Sequence, residues 1–245
     1  MWGFAVIAFA LVVSSLSKEI QCPTVKDSLM TPELRQQILG FHNKKRARLA
    51  SGLENNKNGK ITGAKNMYKL KWNCILEKKA QNWLRMGSWK GKEYKFEALN
   101  PWVVNYDTRY FCRTTPVTFK NYIEGVLTGW WGQAQKNVAT NRRTANNREF
   151  ANMAFGYSTK VGCSITHNGP EASLFCLYEN GPMLGMKIYE IGEKCKKNED
   201  CSKPHSTCSV TDSLCTVSEV KCLSDNIVKA GNEISQSKSS KLHEQ

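Results

Sequence analysis

Three features of this 245-residue chain predict a layered α+β domain. Three stretches, running from about residues 32, 76 and 116, repeat apolar side chains at helical spacing. The segment 149–185 switches from helical spacing to two alternating runs joined by a polar turn. Ten cysteines follow residue 17, an even count that suits a disulfide framework in an oxidising compartment.

Met1 to Ser17 reads as a signal peptide. Phe4 to Val13 is apolar but too short to span a bilayer, and Ser15-Leu16-Ser17 supplies a small-x-small cleavage site. Lys18 to Met30 forms an arm tied down by Cys22. Thr31-Pro32-Glu33 then offers a capping hydroxyl, a proline at the first helical position and a carboxylate in the first turn. Leu34, Ile38, Phe41 and Leu49 share one face of that helix, and Gly52 stops it. His42 lies beside this face, where a hydrogen-bonded core histidine is the expected role rather than a ligand.

Glu54 to Lys65 has no periodicity and reads as a surface loop. A second helix carries Leu76, Ala80 and Trp83 and ends at Gly87. Thr115-Pro116 opens a third, with Phe119, Tyr122, Ile123, Val126, Leu127 and Trp130 in unbroken helical spacing, a core stripe. Asn137 to Asn147 is a basic, Asn-rich loop. A short fourth helix spans about Arg148 to Phe155, with Phe150, Met153 and Ala154 at helical spacing. Val161, Cys163 and Ile165 then alternate as a half-buried strand. His167-Asn168-Gly169-Pro170 forms a turn, and Leu174, Cys176 and Tyr178 alternate again. Antiparallel pairing of the two strands brings Cys163 to Cys176.

Past Gly192 large apolar side chains nearly vanish while cysteines recur at 195, 201, 208 and 215. Such a segment cannot bury a core and must be held by cross-links. Its spacing does not fit a C-x2-C zinc ribbon. The expected organisation is therefore a signal peptide at 1–17, a main domain at 18–192, a cysteine-rich extension at 193–222 and a disordered tail at 223–245.

Four short motifs stand in one order. Phe41-His42-Asn43-x-x-Arg46 precedes Met67-x-x-Leu70-x-Trp72-Asn73; Phe150 to Cys163 ends in Thr159-Lys160-Val161-Gly162-Cys163; and Cys176-x-Tyr178 follows. Together they resemble the CAP superfamily of cysteine-rich secretory proteins, insect venom antigens and plant pathogenesis-related proteins. Ile188-Tyr189-Glu190-x-Gly192 and the cysteine cluster after it resemble the nematode venom-allergen-like and activation-associated secreted proteins. The resemblance implies a three-layer α-β-α sandwich with a small C-terminal extension. It also suggests pairing Cys195 with Cys208 and Cys201 with Cys215, and it leaves Cys22, Cys74, Cys112 and Cys222 unordered.

The family is known for a cleft of two histidines and two glutamates that holds a divalent metal in several members. Carried over residue by residue, that site is degenerate here. Glu149 stands where the signature histidine belongs, Gln133 replaces the glutamate after Trp130-Trp131, and Glu97 matches the remaining glutamate. No histidine lies between Met86 and Phe96 for the fourth position. Two carboxylates and an amide make a poor zinc site, so neither metal nor other cofactor is expected. Were Glu97 and Glu149 to face one another, each would raise the other's proton affinity, as in a glycosidase pair. No Gly-x-Ser-x-Gly elbow occurs.

Lys and Arg total 35 against 21 acidic residues, a net charge of +14 that signal removal leaves intact. Three clusters stand out: Lys44, Lys45, Arg46 and Arg48; Lys90, Lys92 and Lys95; and Arg142, Arg143 and Arg148. Outside a cell such charge favours a host cell-surface protein, an acidic glycan or anionic lipid; no nucleic-acid reading motif and no transmembrane stretch are present. The resemblance implies a secreted, extracellular, non-enzymatic binding protein that modulates host cells or immunity. Phe150-Ala151-Asn152-Met153-Ala154 is similar to hookworm members directed at integrins, although no Arg-Gly-Asp or Lys-Gly-Asp tripeptide occurs. Two alternatives stay open: a sterol or fatty-acid carrier using Phe111 to Phe119 and Trp130-Trp131, and a degenerate hydrolase using Glu97 and Glu149.

Overall fold

The computed structural model describes residues 19–86, 103–111, 118–137 and 141–218. The signal segment, the tail, Lys90, Lys92, Lys95, Glu97, Cys112, Thr115-Pro116 and Cys222 lie outside the described residues.

Thr31 caps α1 (Pro32–Ala50) by accepting from the Leu34 amide, and Asn73 does the same for Leu76 at the start of α2 (Cys74–Arg85). Two longer elements follow, β5 (Val104–Tyr110) and α3 (Phe119–Asn137). The short α4 (Arg148–Ala154) leads into the hairpin of β6 (Lys160–Asn168) and β7 (Glu171–Tyr178). A four-stranded sheet runs β4-β6-β7-β5, where β4 is the two-residue strand Lys71–Trp72. β4 lies parallel to β6, and the other pairings are antiparallel.

Helices cover both faces of this sheet, so the fold is the α-β-α sandwich. On one side Leu174, Cys176 and Tyr178 meet Ile38 and Leu49 of α1, Ile123, Leu127 and Trp130 of α3, and Phe150 and Met153 of α4. On the other, Phe175, Leu177 and Val104 meet Ala80 and Leu84 of α2. The alternation in β7 therefore separates two buried faces rather than core from water, and all eight of its residues are buried. The half-buried strand expected at Val161, Cys163 and Ile165 fails for the same reason, since Val161 to Ile165 of β6 are all buried. β5 escapes a sequence reading because its Asn, Asp, Thr and Arg look like loop, yet it completes the sheet beside β7. The 54–65 loop holds the small hairpin β1 (Asn55–Asn56) and β2 (Gly59–Lys60), together with β3 (Ala64–Lys65), which pairs with β8 (Glu190–Ile191).

Gly162 shows how closely α2 sits on β6. A Cβ there would come within 2.4 Å of the Glu77 backbone nitrogen and 2.5 Å of the Asn73 carbonyl oxygen. Only a residue without a side chain fits.

Cys22 is joined to Cys74, which pins the N-terminal arm to the start of α2, and Cys163 is joined to Cys176 across the hairpin. In the extension Cys195 is bonded to Cys208 and Cys201 to Cys215. Its hairpin, β9 (Ser206–Ser209) with β10 (Leu214–Val217), buries Leu214 in the main core and packs Cys215 against Tyr68. Cys215 exchanges backbone hydrogen bonds with Met67 and Lys69, and the buried Tyr68 hydroxyl accepts from the Lys203 amide.

Two of the basic clusters lose members to the interior. Arg46 is fully buried, and its guanidinium donates to the carbonyls of Tyr68, Met153, Phe155, Gly156 and Ser158 at 2.8 to 3.3 Å. Burial draws its pKa down to about 9, still cationic at neutral pH. Arg143 is buried as well, while Lys45 and Arg48 both pair with Glu54. Arg46 has no carboxylate partner among these contacts; carbonyl dipoles alone balance it. Arg46→Ala should therefore cost on the order of 4 kcal/mol in urea unfolding, with Arg46→Lys recovering only part of it. A loss below about 1 kcal/mol would show that the turn after α4 does not depend on the guanidinium.

Candidate functional site

Where α3 crosses the first turn of α4, Gln133 and Glu149 are brought together. The Gln133 amide nitrogen donates to Glu149 Oε2 at 2.6 Å, and its oxygen accepts from the Phe150 backbone N–H at 3.1 Å. An amide suits this position because it can donate to a carboxylate and accept from a backbone amide at once, which a carboxylate cannot. A glutamate at 133 would place two carboxylates in contact. Arg148 closes the other side, its Nε and Nη2 lying 3.0 and 2.5 Å from Glu149 Oε1.

The Glu149 side chain is only 14 % exposed. Burial pushes its pKa up, but the Gln133 hydrogen bond and the Arg148 charge outweigh that, and the net direction is down. Glu149 is thus an ionised, fully engaged carboxylate, opposite to the raised acid that a glycosidase pair needs. Glu97, its proposed partner in that reading, lies outside the described residues.

His42 lies not in the cleft but behind it. Its Nδ1–H donates to the Ile38 carbonyl at 2.8 Å and its Nε2 accepts from the Tyr178 hydroxyl at 2.9 Å. Asn105 donates to that same hydroxyl at 3.1 Å and to the Glu149 carbonyl at 3.0 Å, and it accepts from Asn152 at 2.9 Å. The chain His42–Tyr178–Asn105–Asn152 runs from α1 across one face of the sheet, through β7 and β5, to α4 and fixes the backbone that presents Glu149. Burial raises the Tyr178 pKa, which keeps its hydroxyl a proton donor.

Sequence reasoning misses three members of this arrangement. Arg148 reads as one more surface cation although it directly precedes Glu149, and Asn105 sits on the strand that looks like loop. Asn152 is the one with a visible signal, a polar residue on the buried face of a short helix. Trp130 and Trp131, candidates for lining a lipid pocket, are core: Trp131 packs edge-on against Phe150 at 5.1 Å and donates to Glu54 at 3.0 Å.

The model of the CAP, cysteine-rich secretory protein family matches residues 39–178. The chain belongs to the CAP family. It is 32 % identical over 180 residues to Ancylostoma secreted protein of Ancylostoma caninum, covering 72 % of this chain and 41 % of that one. Among solved structures, Na-ASP-1 superposes with a TM-score of 0.63 at 32 % identity, over 77 % of this chain and 46 % of that one. BmVAL-1 superposes with a TM-score of 0.68 at 28 % identity, over 82 % of this chain and the whole of the other. The chain thus spans less than half of two of these relatives. These likenesses place it with the nematode venom-allergen-like CAP proteins.

The metal that CAP membership brings into question does not fit these residues. Both Glu149 oxygens are engaged, Gln133 turns its amide nitrogen toward the carboxylate, and the cation of Arg148 lies against the other oxygen. His42 uses both ring nitrogens elsewhere. Among the described residues, Cys195, Cys201 and Cys215 alone bring three ligand atoms within 4.8 Å, and all three are in disulfides.

Burial holds His42 neutral, with a pKa lowered from 6.5 to about 4. Between those values the unfolded chain binds the proton that the folded chain refuses, so stability is full above about pH 6.5 and falls toward pH 4. The loss should reach on the order of 3 kcal/mol. Urea unfolding of His42→Phe, less stable at neutral pH, should show a flatter profile across this window; an unchanged slope would refute the assignment.

Proposed function

We propose that this CAP protein is a secreted, non-enzymatic binding protein that acts on host molecules through its surface. One observation carries the reading: the carboxylate at this position is a partly buried structural group, with both oxygens engaged by Gln133 and Arg148. A general acid needs a raised pKa and a metal site needs free ligand atoms, and Glu149 supplies neither. Similarity to a protein named as secreted supports export.

The partner is a host cell-surface protein or an acidic glycan. Binding through integrins is one form of this reading, supported only by the likeness of Phe150 to Ala154 to the hookworm group. Those residues are themselves buried. Contact with such a receptor would therefore come from the surface around α4 rather than from the motif.

Zinc titration calorimetry on the folded protein tests the loss of metal chemistry. Wild type should give no stoichiometric heat, whereas Gln133→Glu combined with Glu149→His, which restores the family's residue types at two positions, should gain affinity for zinc. In parallel, Glu149→Gln should leave binding of labelled protein to host leukocytes unchanged. Stoichiometric zinc in the wild type, or a hydrolytic activity abolished by Glu149→Gln, would overturn the reading.

A further inference from the structure

The turn at residues 182–187 holds three large apolar side chains in water. Met183 is 53 % exposed, Leu184 62 % and Met186 40 %. Single exposed apolar residues are ordinary, but three within four positions on one turn form a contiguous apolar tip.

Hydrogen bonds hold this tip in shape. The Met186 amide donates to the Met183 carbonyl at 2.9 Å, closing a turn in which Gly185 adopts the φ of +83° that its third position requires. Beneath it the Gly185 amide donates to the Arg143 carbonyl at 2.8 Å and the Arg143 amide to the Met186 carbonyl at 2.9 Å. From the side, Arg142 Nη1 donates to the Gly185 carbonyl at 2.7 Å. Pro182 is buried at the base. The turn is thus pre-ordered with its apolar side chains outward, and the ordering cost that a docking loop normally meets on binding is already met.

Cations rim the tip. Arg142 and Lys187 are exposed and face each other across a β-bridge. Neither has a carboxylate partner among the described residues. Apolar side chains at the apex, with cations at their base that no carboxylate neutralises, match the layering of an anionic bilayer, where acyl chains lie under negative headgroups. We propose that the Met183–Leu184–Met186 tip docks the protein on anionic lipid surfaces, inserting at the headgroup boundary with Arg142 and Lys187 set among the lipid phosphates. A protein receptor would demand shape and hydrogen-bond complementarity around the apex, and the side chains at the apex are all apolar. The inference goes beyond the receptor reading above and does not depend on it.

The test is co-sedimentation of the purified protein with large unilamellar vesicles of phosphatidylcholine, with and without phosphatidylserine. Binding should require phosphatidylserine and weaken with salt. Lys187→Gln should weaken it about fivefold, the loss of one interfacial cation. Met183→Asp with Leu184→Asp, which changes only exposed side chains, should abolish it. Leu184→Trp should show a blue-shifted emission on vesicles containing phosphatidylserine. The proposal is overturned by absence of vesicle binding, by binding that survives the paired aspartate substitutions and so reflects net charge alone, or by an unshifted emission of the Leu184→Trp variant. Binding to a cell-surface protein through this tip without vesicle binding would overturn it too.

Discussion

One buried guanidinium sets the geometry on which most of the sandwich depends. The chain must leave α4, reverse and enter β6 within the few residues 155–159, and a turn inside a protein leaves carbonyls without water. Arg46, reaching from the C-terminal part of α1, supplies donors to three of those carbonyls, to Met153 at the end of α4 and to Tyr68 of the segment before β4. A lysine would bring one compact charge with no planar fork, and a neutral side chain would bring too few donors. Helix α1, the turn and the segment before β4 are therefore positioned by the same group. The register of β4 on β6 follows from it.

A second polar network ties the layers together where apolar packing alone would let them slide. His42, Tyr178, Asn105 and Asn152 alternate donor and acceptor roles without conflict only if the imidazole is neutral, its Nδ1 protonated and the phenol un-ionised. Burial enforces both charge states, as the lowered histidine and raised tyrosine pKa values show. The network ends on the backbone of Glu149. Cleft and core are consequently one construction: the residue that meets solvent is aimed by residues that never do. The role of His42 is structural because its acceptor is spent on a phenol inside the sheet, and no reorientation frees it for a ligand without leaving Tyr178 unmatched.

Much of this was legible in the sequence. The helices announce themselves through caps and periodicity and the hairpin through alternation around Gly169-Pro170; Gln133 and Glu149, singled out in the sequence, meet in the structure. What escaped did so for physical reasons. Burial on both faces cannot be read from alternation, since Ser173 and Glu171 of β7 are buried too. β5 is polar because its pairing with β7, not its hydrophobicity, holds it in the sheet. Arg46 and Arg143 look like surface charge in any composition count, because sequence shows a cation without showing the carbonyls that receive it. The Cys22–Cys74 bridge needed the three-dimensional path of the N-terminal arm across α2.

The same distinction changes the meaning of the net charge. A +14 chain suggests a broad basic face, yet several of its cations are spent on the fold: Arg46 on a turn, Arg35 on buried Glu77 at 2.7 Å, Lys45 and Arg48 on Glu54, and Arg148 on Glu149. Net positive charge by itself accelerates encounter with any anionic surface without selecting one. Selectivity must then arise where charge coincides with fixed shape. Among the described residues the 182–187 turn does this, because its backbone is hydrogen-bonded to the Arg142-Arg143 segment and the Arg142 guanidinium is held on the Gly185 carbonyl beside an apolar apex. The fold spends its buried arginines on holding the framework rigid, and that rigidity lets a six-residue turn keep apolar side chains exposed without collapsing onto the surface.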